Sequence, residues 1–289
     1  YTDLVLESVV EALKSAGLEN GTVGLVGGDV LPVDTFMGIK SGVPGISWDS
    51  AGGILSTLRA VKSAGEIALL DQSAKVGSRT IEAMMAAAVP GATHGDVVAA
   101  GQQVLNAAGG VLYNSFMASG RGGDDPVLVK SNFPTWGSSE PLQEGHWLRL
   151  GISGVLNGYY FDVSRSKAIG PPSNRQIDLF EAAIASVEAG IEAVRVGATA
   201  EQLAQAGLGK QEELGFEIKG VFSGLGHGIG LGWDSPWLAP GDATVLCPGM
   251  VLNFERTITQ DGFLGDFEET VVVTEEGYDR LTDAQLRFW

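Results

Sequence analysis

The stretch Gly91-Ala92-Thr93 recurs as Gly197-Ala198-Thr199, 106 positions further along the chain. In each copy the threonine opens a capping-box pattern, Thr93-x-x-Asp96 and Thr199-x-x-Gln202, which is typical of a helix start. The same offset pairs further identical residues: Glu82 with Glu188, Ala83 with Ala189, Ala87 with Ala193, and Gly109 with Gly215. Gly and Ala are common here, but one offset shared by all these matches argues against chance. The repeat predicts two α/β halves related by a pseudo-twofold axis, with a site between them.

The composition predicts a folded protein with a sizeable core. Of 289 residues, 44% are hydrophobic, 18% are charged and 42 are glycine, which favours a loop-rich α/β protein over a disordered chain. The net charge of −17 disfavours binding to nucleic acid or to an anionic membrane. The single cysteine, Cys247, excludes an internal disulfide, and no apolar run is long enough to span a membrane. We therefore expect a cytoplasmic protein.

Local patterns divide the chain near Ser56. Residues 1–55 look too short for a complete domain, and within them Gly38–Gly53 is rich in Gly, Ser and Pro, which predicts a loop. Residues 56–289 alternate helical and strand-like segments. We expect two domains with this boundary, of which the second is the larger.

Two carboxylates are related by the repeat. The 106-residue offset places Asp162 onto Glu268, and each lies on a strand-like segment near the end of its half. If the halves face each other, the two carboxylates converge and repel, so that one would have to hold a proton. A divalent cation between them removes that conflict.

Two further residues extend this candidate site. His227 is embedded in four glycines, which lets the backbone approach closely, whereas a lone histidine is more often structural. Glu255 ends the apolar run Val251–Glu255, where an exposed face and a buried ligand are equally good interpretations. Together with Asp162 and Glu268 they form an oxygen-rich donor set that suits Mn²⁺, Fe²⁺, Co²⁺ or Zn²⁺. A metal held in this way lowers the pKa of bound water and polarises a carbonyl, which indicates hydrolysis of an amide-like bond.

Several motifs in order resemble those of the creatinase/aminopeptidase P/prolidase superfamily, which shares the pita-bread fold with methionine aminopeptidase. The resemblance runs from about Leu58 to Gly277. It is carried by these segments: Leu58–Ile67, Asn157–Arg165, the glycine-flanked His227, Pro248–Val251 leading to Glu255, and Phe267–Val271.

The resemblance implies an α+β pita-bread fold, preceded by a remnant of a small N-terminal α/β domain in residues 1–55. It implies that Asp162 and Glu268 bridge metals, and that His227 and Glu255 bind one of them. Glu255 would also pass a proton from the attacking water to the leaving nitrogen. Relatives often form homodimers, so we expect a homodimer that acts on a small peptide or amide.

The sequence departs from that family at several positions. Gly151 stands where relatives have an aspartate that serves mainly a second metal, so we expect one well-held ion. Two substrate-site histidines are replaced, one by about Val127 and the other by Trp233-Asp234, which we assign to substrate binding. Four arginines could supply cationic contacts, namely Arg121, Arg149, Arg165 and Arg256, and Arg121 is the best candidate to bind a substrate carboxylate. The other histidines, His94 and His146, are predicted at the surface.

Three functions fit these observations. The first is a metal-dependent hydrolase of the Xaa-Pro aminopeptidase or prolidase type, with manganese among the candidate ions. The second is a divergent, creatinase-like C–N hydrolase or lyase. The third is an inactive pita-bread module that binds peptides, which the four retained ligands argue against because buried carboxylates without a cation are costly.

Overall fold

A computed structural model describes residues 2–123, 128–131, 139–219 and 223–289. The chain divides into two compact units, Tyr1–Arg59 and Ala60–Trp289. The boundary predicted near Ser56 lies close to this division. That the first unit is the remnant of a creatinase-type N-terminal domain stays a prediction.

The first unit is a small α/β assembly. Its elements, in order, are α1 (Thr2–Ser15), β1 (Asn20–Leu25), α2 (Val33–Gly42), β2 (Gly45–Ser50) and α3 (Gly52–Ala60). Strands β1 and β2 pair in parallel, and Ile39, Val43 and Ile46 form the buried core. The loop predicted over Gly38–Gly53 is therefore wrong, because pairing with β1 satisfies a backbone whose composition did not indicate a strand.

The second unit repeats one order of elements. Its first half contains α4 (Ala64–Ala87), α5 (His94–Ala107), β3 (Val111–Gly120), β4 (Leu128–Ser131), β5 (Trp147–Leu156) and β6 (Tyr159–Ala168). Its second half contains α6 (Asn174–Glu192), α7 (Ala200–Glu213), β7 (Gly226–Ile229), β8 (Trp233–Leu238), β9 (Val251–Gln260), β10 (Phe263–Thr274) and β11 (Gly277–Arg280). Within the described residues, each half thus has two helices followed by four strands, and β11 extends the second.

The two sheets of this unit have the same strand order. The first runs β4-β3-β5-β6, and the second runs β8-β7-β9-β10-β11. Thr93 and Thr199 each cap their helix with a complete capping box, at equivalent places in the two halves. The predicted α+β fold with two pseudo-symmetric halves is therefore confirmed.

The inner strands of the two sheets meet and carry the candidate ligands. Strand β10 contacts both β5 and β6, and helices α4 and α6 pack on the strands of their own halves. Across the junction, the side-chain amide of Asn253 on β9 donates to the carbonyl of Asp162 on β6 at 2.9 Å. Side chains of β6 and β10 therefore converge from opposite halves.

The placement of two histidines at the surface was wrong. His94 and His146 are both buried, and Nε2 of His94 lies 3.0 Å from the Ser119 hydroxyl. His94 begins α5 on the face that packs on the sheet, which a helix-start pattern alone does not reveal. Among the helices of the described segments, none has the length and apolar character needed to cross a membrane.

Candidate metal centre

Three predicted ligands meet in one buried cavity. Ligand atoms of Asp162, His227 and Glu268 all lie within 4.8 Å of one another, and each residue is less than a tenth exposed. They line a cavity of about 200 Å³. Its other described lining residues are Phe116, Arg149, Gly151, Trp233, Trp237 and Glu255.

Two side chains hold the Asp162 carboxylate in place. The Ser153 hydroxyl, directly across the β5–β6 pair, donates to Oδ1 at 2.7 Å. The Trp233 indole N–H donates to Oδ2 at 2.5 Å. Both carboxylate oxygens are therefore oriented before any ion binds.

His227 is oriented by its own backbone. Its Nδ1 lies 3.0 Å from the carbonyl oxygen of Gly228, which can only accept, so Nδ1 carries the proton. Nε2 then presents its lone pair, 3.8 Å from Oδ2 of Asp162. The preceding Gly226 has a φ of 142°, and a Cβ there would lie 1.9 Å from the carbonyl oxygen of Asn253. Glycine at this position is therefore required for the approach of β7 to β9.

Glu255 lies in the same cavity but outside the cluster of three. It faces Glu268 directly across the β9–β10 pair and lines the cavity, which favours the ligand interpretation over the exposed one. Neither its carboxylate nor that of Glu268 receives a hydrogen bond from any described residue. The carboxylate of Glu255 is thus available to a cation or to a reacting proton.

The cavity contains three acidic side chains whose negative charges are not balanced by the positive groups around them. Burial raises the pKa of Glu255 to about 7, and the nearby Asp162 adds to this. Burial, Asp162 and Glu255 together raise the pKa of Glu268 well above its usual range. Burial also raises the pKa of Asp162, although His227 and the donors from Ser153 and Trp233 oppose the shift. A divalent cation would relieve all three carboxyl groups at once.

The donor set fits a divalent metal ion. Carboxylate oxygens and one imidazole, with no thiolate, suit a first-row divalent ion bound for catalysis, and the histidine tautomer leaves Nε2 for coordination. Asp162, His227 and Glu268 would hold the ion, with Glu255 adjoining them.

The predicted substrate residues fall in different places. Trp233 lines the cavity, whereas neither Arg121 nor Asp234 is among its described lining residues. Arg121 is exposed and donates a hydrogen bond to Gln143, and its role stays a prediction. Asp234 pairs with Gly228 in the β7–β8 register. Val127 lies outside the described residues.

Sequence reasoning included Arg149 among four candidate arginines but preferred Arg121, whereas Arg149 is the one that lines the cavity. It lies two residues before Gly151 on β5, and residues so spaced on a strand point to the same face. Gly151 was already identified as the position of a missing ligand. The two-residue spacing from it could therefore have indicated that Arg149 faces the site.

The metal-free protein should lose stability as the pH rises from about 4.5 to about 7. In this window Glu255 keeps its proton in the folded chain but loses it when unfolded, so the folded state binds more protons and rising pH favours unfolding. Because one pKa unit corresponds to about 1.4 kcal/mol, we expect a decrease of a few kcal/mol. Urea unfolding across this pH range, with chelator present, measures it.

A Glu255→Gln variant provides the control, because it removes this titrating group and should make the decrease smaller, leaving the part that comes from Asp162 and Glu268. Saturating metal should reverse the trend, since ligands must lose their protons to bind an ion. A metal-free wild type whose stability rises over the same window would contradict the assigned shift.

Comparisons with known proteins identify a matching family, relatives in sequence and a similar fold. Residues 68–275 match metallopeptidase family M24. An Xaa-Pro dipeptidase of Pyrococcus furiosus is 26% identical over 80% of this chain and 66% of its own length. A probable dipeptidase PepE of Mycobacterium tuberculosis is 31% identical over 86% of this chain and 63% of its own length. The solved structure of a prolidase from Pyrococcus furiosus superimposes with a TM-score of 0.82 at 22% identity, covering 94% of this chain and 79% of that one.

The duplicated halves have the pita-bread fold of that prolidase structure, and the carboxylate–histidine cluster lies between them. The chain belongs to metallopeptidase family M24, which confirms the predicted superfamily. It spans only about two thirds of the length of the two relatives named above, so the activity of a whole protein is a matter for proposal.

Proposed function

We propose that this chain carries the catalytic centre of a metal-dependent hydrolase of the Xaa-Pro aminopeptidase or prolidase type. Its substrate would be a dipeptide or short peptide whose amide bond is cleaved by water. The observation that carries the proposal is the meeting of Asp162, His227 and Glu268 within 4.8 Å in one buried cavity, beside Glu255. The names of the dipeptidase relatives support the substrate class.

The bound ion, Glu255 and the aromatic side chains of the cavity would have different roles in this reaction. A bound divalent ion would lower the pKa of a coordinated water and polarise the scissile carbonyl. Glu255 lines the cavity beside the ligand cluster, and its carboxylate would accept a proton from the attacking water and give it to the leaving nitrogen. Phe116, Trp233 and Trp237 line the cavity with apolar surface that limits access of bulk water.

Removal and return of metal tests the proposal. We expect chelation to abolish cleavage of an Xaa-Pro dipeptide panel, and one of Mn²⁺, Co²⁺, Fe²⁺ or Zn²⁺ to restore it. Metal content by elemental analysis should follow the activity. Cleavage that survives complete removal of metal would contradict the assigned chemistry.

The creatinase-like alternative is favoured by one observation: Gly151 offers no ligand, and an arginine lies beside it in the cavity. Creatine-like and cyclic amidine compounds should therefore be assayed beside the dipeptides. Metal-dependent cleavage of these alone would assign the chain to that class. If the chain takes up no metal and cleaves none of these compounds, it would be assigned as an inactive peptide-binding module.

Several narrower points stay predictions. Manganese as the ion, assembly as a homodimer and a cytoplasmic location follow only from the sequence. We also propose that a single ion is held tightly, because Gly151 cannot ligate a second.

A further inference from the structure

The position of the missing ligand is adjacent to a positive charge. A Cβ added to Gly151 would lie 3.5 Å from Nη2 and 3.7 Å from Cζ of Arg149, and 3.4 Å from Cβ of Ser164. These are ordinary contact distances, so the backbone would accept a side chain at Gly151. That side chain would grow towards the guanidinium group, which occupies the neighbouring space.

Contacts from both halves fix this guanidinium. Nε of Arg149 donates to Oδ2 of Asp266 at 2.5 Å, and Cζ lies 5.5 Å from the ring centre of Phe116. The arginine side chain is 20% exposed, and its counter-ion is 1% exposed. Among the described residues, no hydrogen bond is made by Nη1 or Nη2, so the two terminal nitrogens are available to the cavity.

The counter-ion is itself held rigidly. Oδ1 of Asp266 accepts a hydrogen bond from the Thr257 hydroxyl at 2.8 Å. The backbone N–H of Asp266 donates to the Ser166 hydroxyl oxygen at 2.7 Å, and that hydroxyl donates to the Asp266 carbonyl at 3.0 Å. Arg149 is thus part of a network that joins β5, β6, β9 and β10.

Charge balance gives this arginine a role. Asp162, Glu255, Glu268 and Asp266 carry four negative charges when ionised, which two divalent ions would neutralise. With Arg149 present, a second divalent ion would give the four carboxylates, the arginine and the two ions a net positive charge. That ion would also lie close to the positively charged guanidinium, which would repel it. We propose that the guanidinium of Arg149 takes the place of a second metal ion, so that the centre combines one divalent ion with a fixed organic cation.

This inference rests on the proposed function for its first ion and is tested by counting ions. Isothermal titration with Mn²⁺, with elemental analysis after dialysis, should give one equivalent for the wild-type chain. The double variant Arg149→Met/Gly151→Asp removes the charge and restores a carboxylate, so it should bind two. Electron paramagnetic resonance should show an isolated Mn²⁺ in the wild type and a coupled pair in the double variant.

Arg149→Lys is the matched control, because it keeps a positive charge and should keep one equivalent. Binding of two Mn²⁺ ions by the wild type, or of one by a folded double variant, would overturn the inference. Either result would still support the proposed metal centre, because a first ion is bound. No uptake by the wild type would overturn the proposed metal centre and this inference with it.

Arg149→Met alone covers the case in which the double variant does not fold. Loss of a like charge beside the ion should tighten the first Mn²⁺ at least about tenfold, whereas Arg149→Lys should bind near the wild-type affinity. Equal Mn²⁺ affinity in the Met variant and the wild type would contradict an electrostatic role for the guanidinium.

Discussion

Replacing Glu268 with glutamine is expected to weaken metal binding by more than about 100-fold and to abolish hydrolysis with it. Glu268 is 3% exposed and one of the three residues whose ligand atoms cluster in the cavity. Glutamine keeps the shape but loses the charge. Substitutions of groups outside the ligand shell already cost 10–100-fold in affinity, so a direct ligand should cost more. Titration calorimetry and steady-state kinetics on the same preparation measure both effects.

The same substitution should stabilise the metal-free fold. Burial and repulsion from Asp162 and Glu255 raise the pKa of Glu268, so folding at neutral pH must either bury its charge or take up a proton, and a neutral glutamine removes that cost. Loss of function with a gain in stability distinguishes ligand loss from misfolding. The exposed Glu275→Gln, beyond the end of the same strand, is the control and should change neither property. Tight metal binding retained by Glu268→Gln would remove this residue from the centre.

Local signals explain what the sequence could predict. The capping boxes at Thr93 and Thr199 are built from residues three apart, so each can be recognised from the local sequence alone. Because they mark equivalent points of a duplication, they also indicated that Asp162 and Glu268 would face each other. Their ligand atoms do lie together with that of His227.

Long-range pairing explains what the sequence could not predict. The glycines around His227 have low strand propensity, so the local sequence does not indicate strand β7, and pairing with β8 and β9 makes that segment a strand. The choice of Arg121 over Arg149 has the same origin. Arg149 enters the cavity because Asp266, 117 residues later and in the other half, provides its counter-ion. No local pattern encodes that pairing.

A second buried ion pair joins the halves behind the candidate ligands. Arg165 on β6 is fully buried and forms an ion pair with Glu269 on β10. Its Nη1 also donates to the carbonyls of Glu268 at 2.6 Å and Ser164 at 2.8 Å. Its Cζ lies 4.4 Å from the ring centre of Phe267. One side chain therefore holds the strands that carry Asp162 and Glu268 in register.

Replacing Arg165 with methionine should lower the free energy of unfolding by about 3 kcal/mol, because the buried carboxylate of Glu269 loses its closest cation. Among the described residues, that carboxylate keeps only Arg280 at 3.8 Å and the Thr282 hydroxyl. Chemical denaturation measures the change. The solvent-exposed pair Arg287–Glu181 is the control, and Arg287→Met should cost less than about 1 kcal/mol. The double variant Arg165→Met/Glu269→Leu should recover part of the loss, since it removes both charges together. A cost for Arg165→Met no larger than that of Arg287→Met would show that this pair does not hold the two halves together, and metal affinity should then be unaffected by its loss.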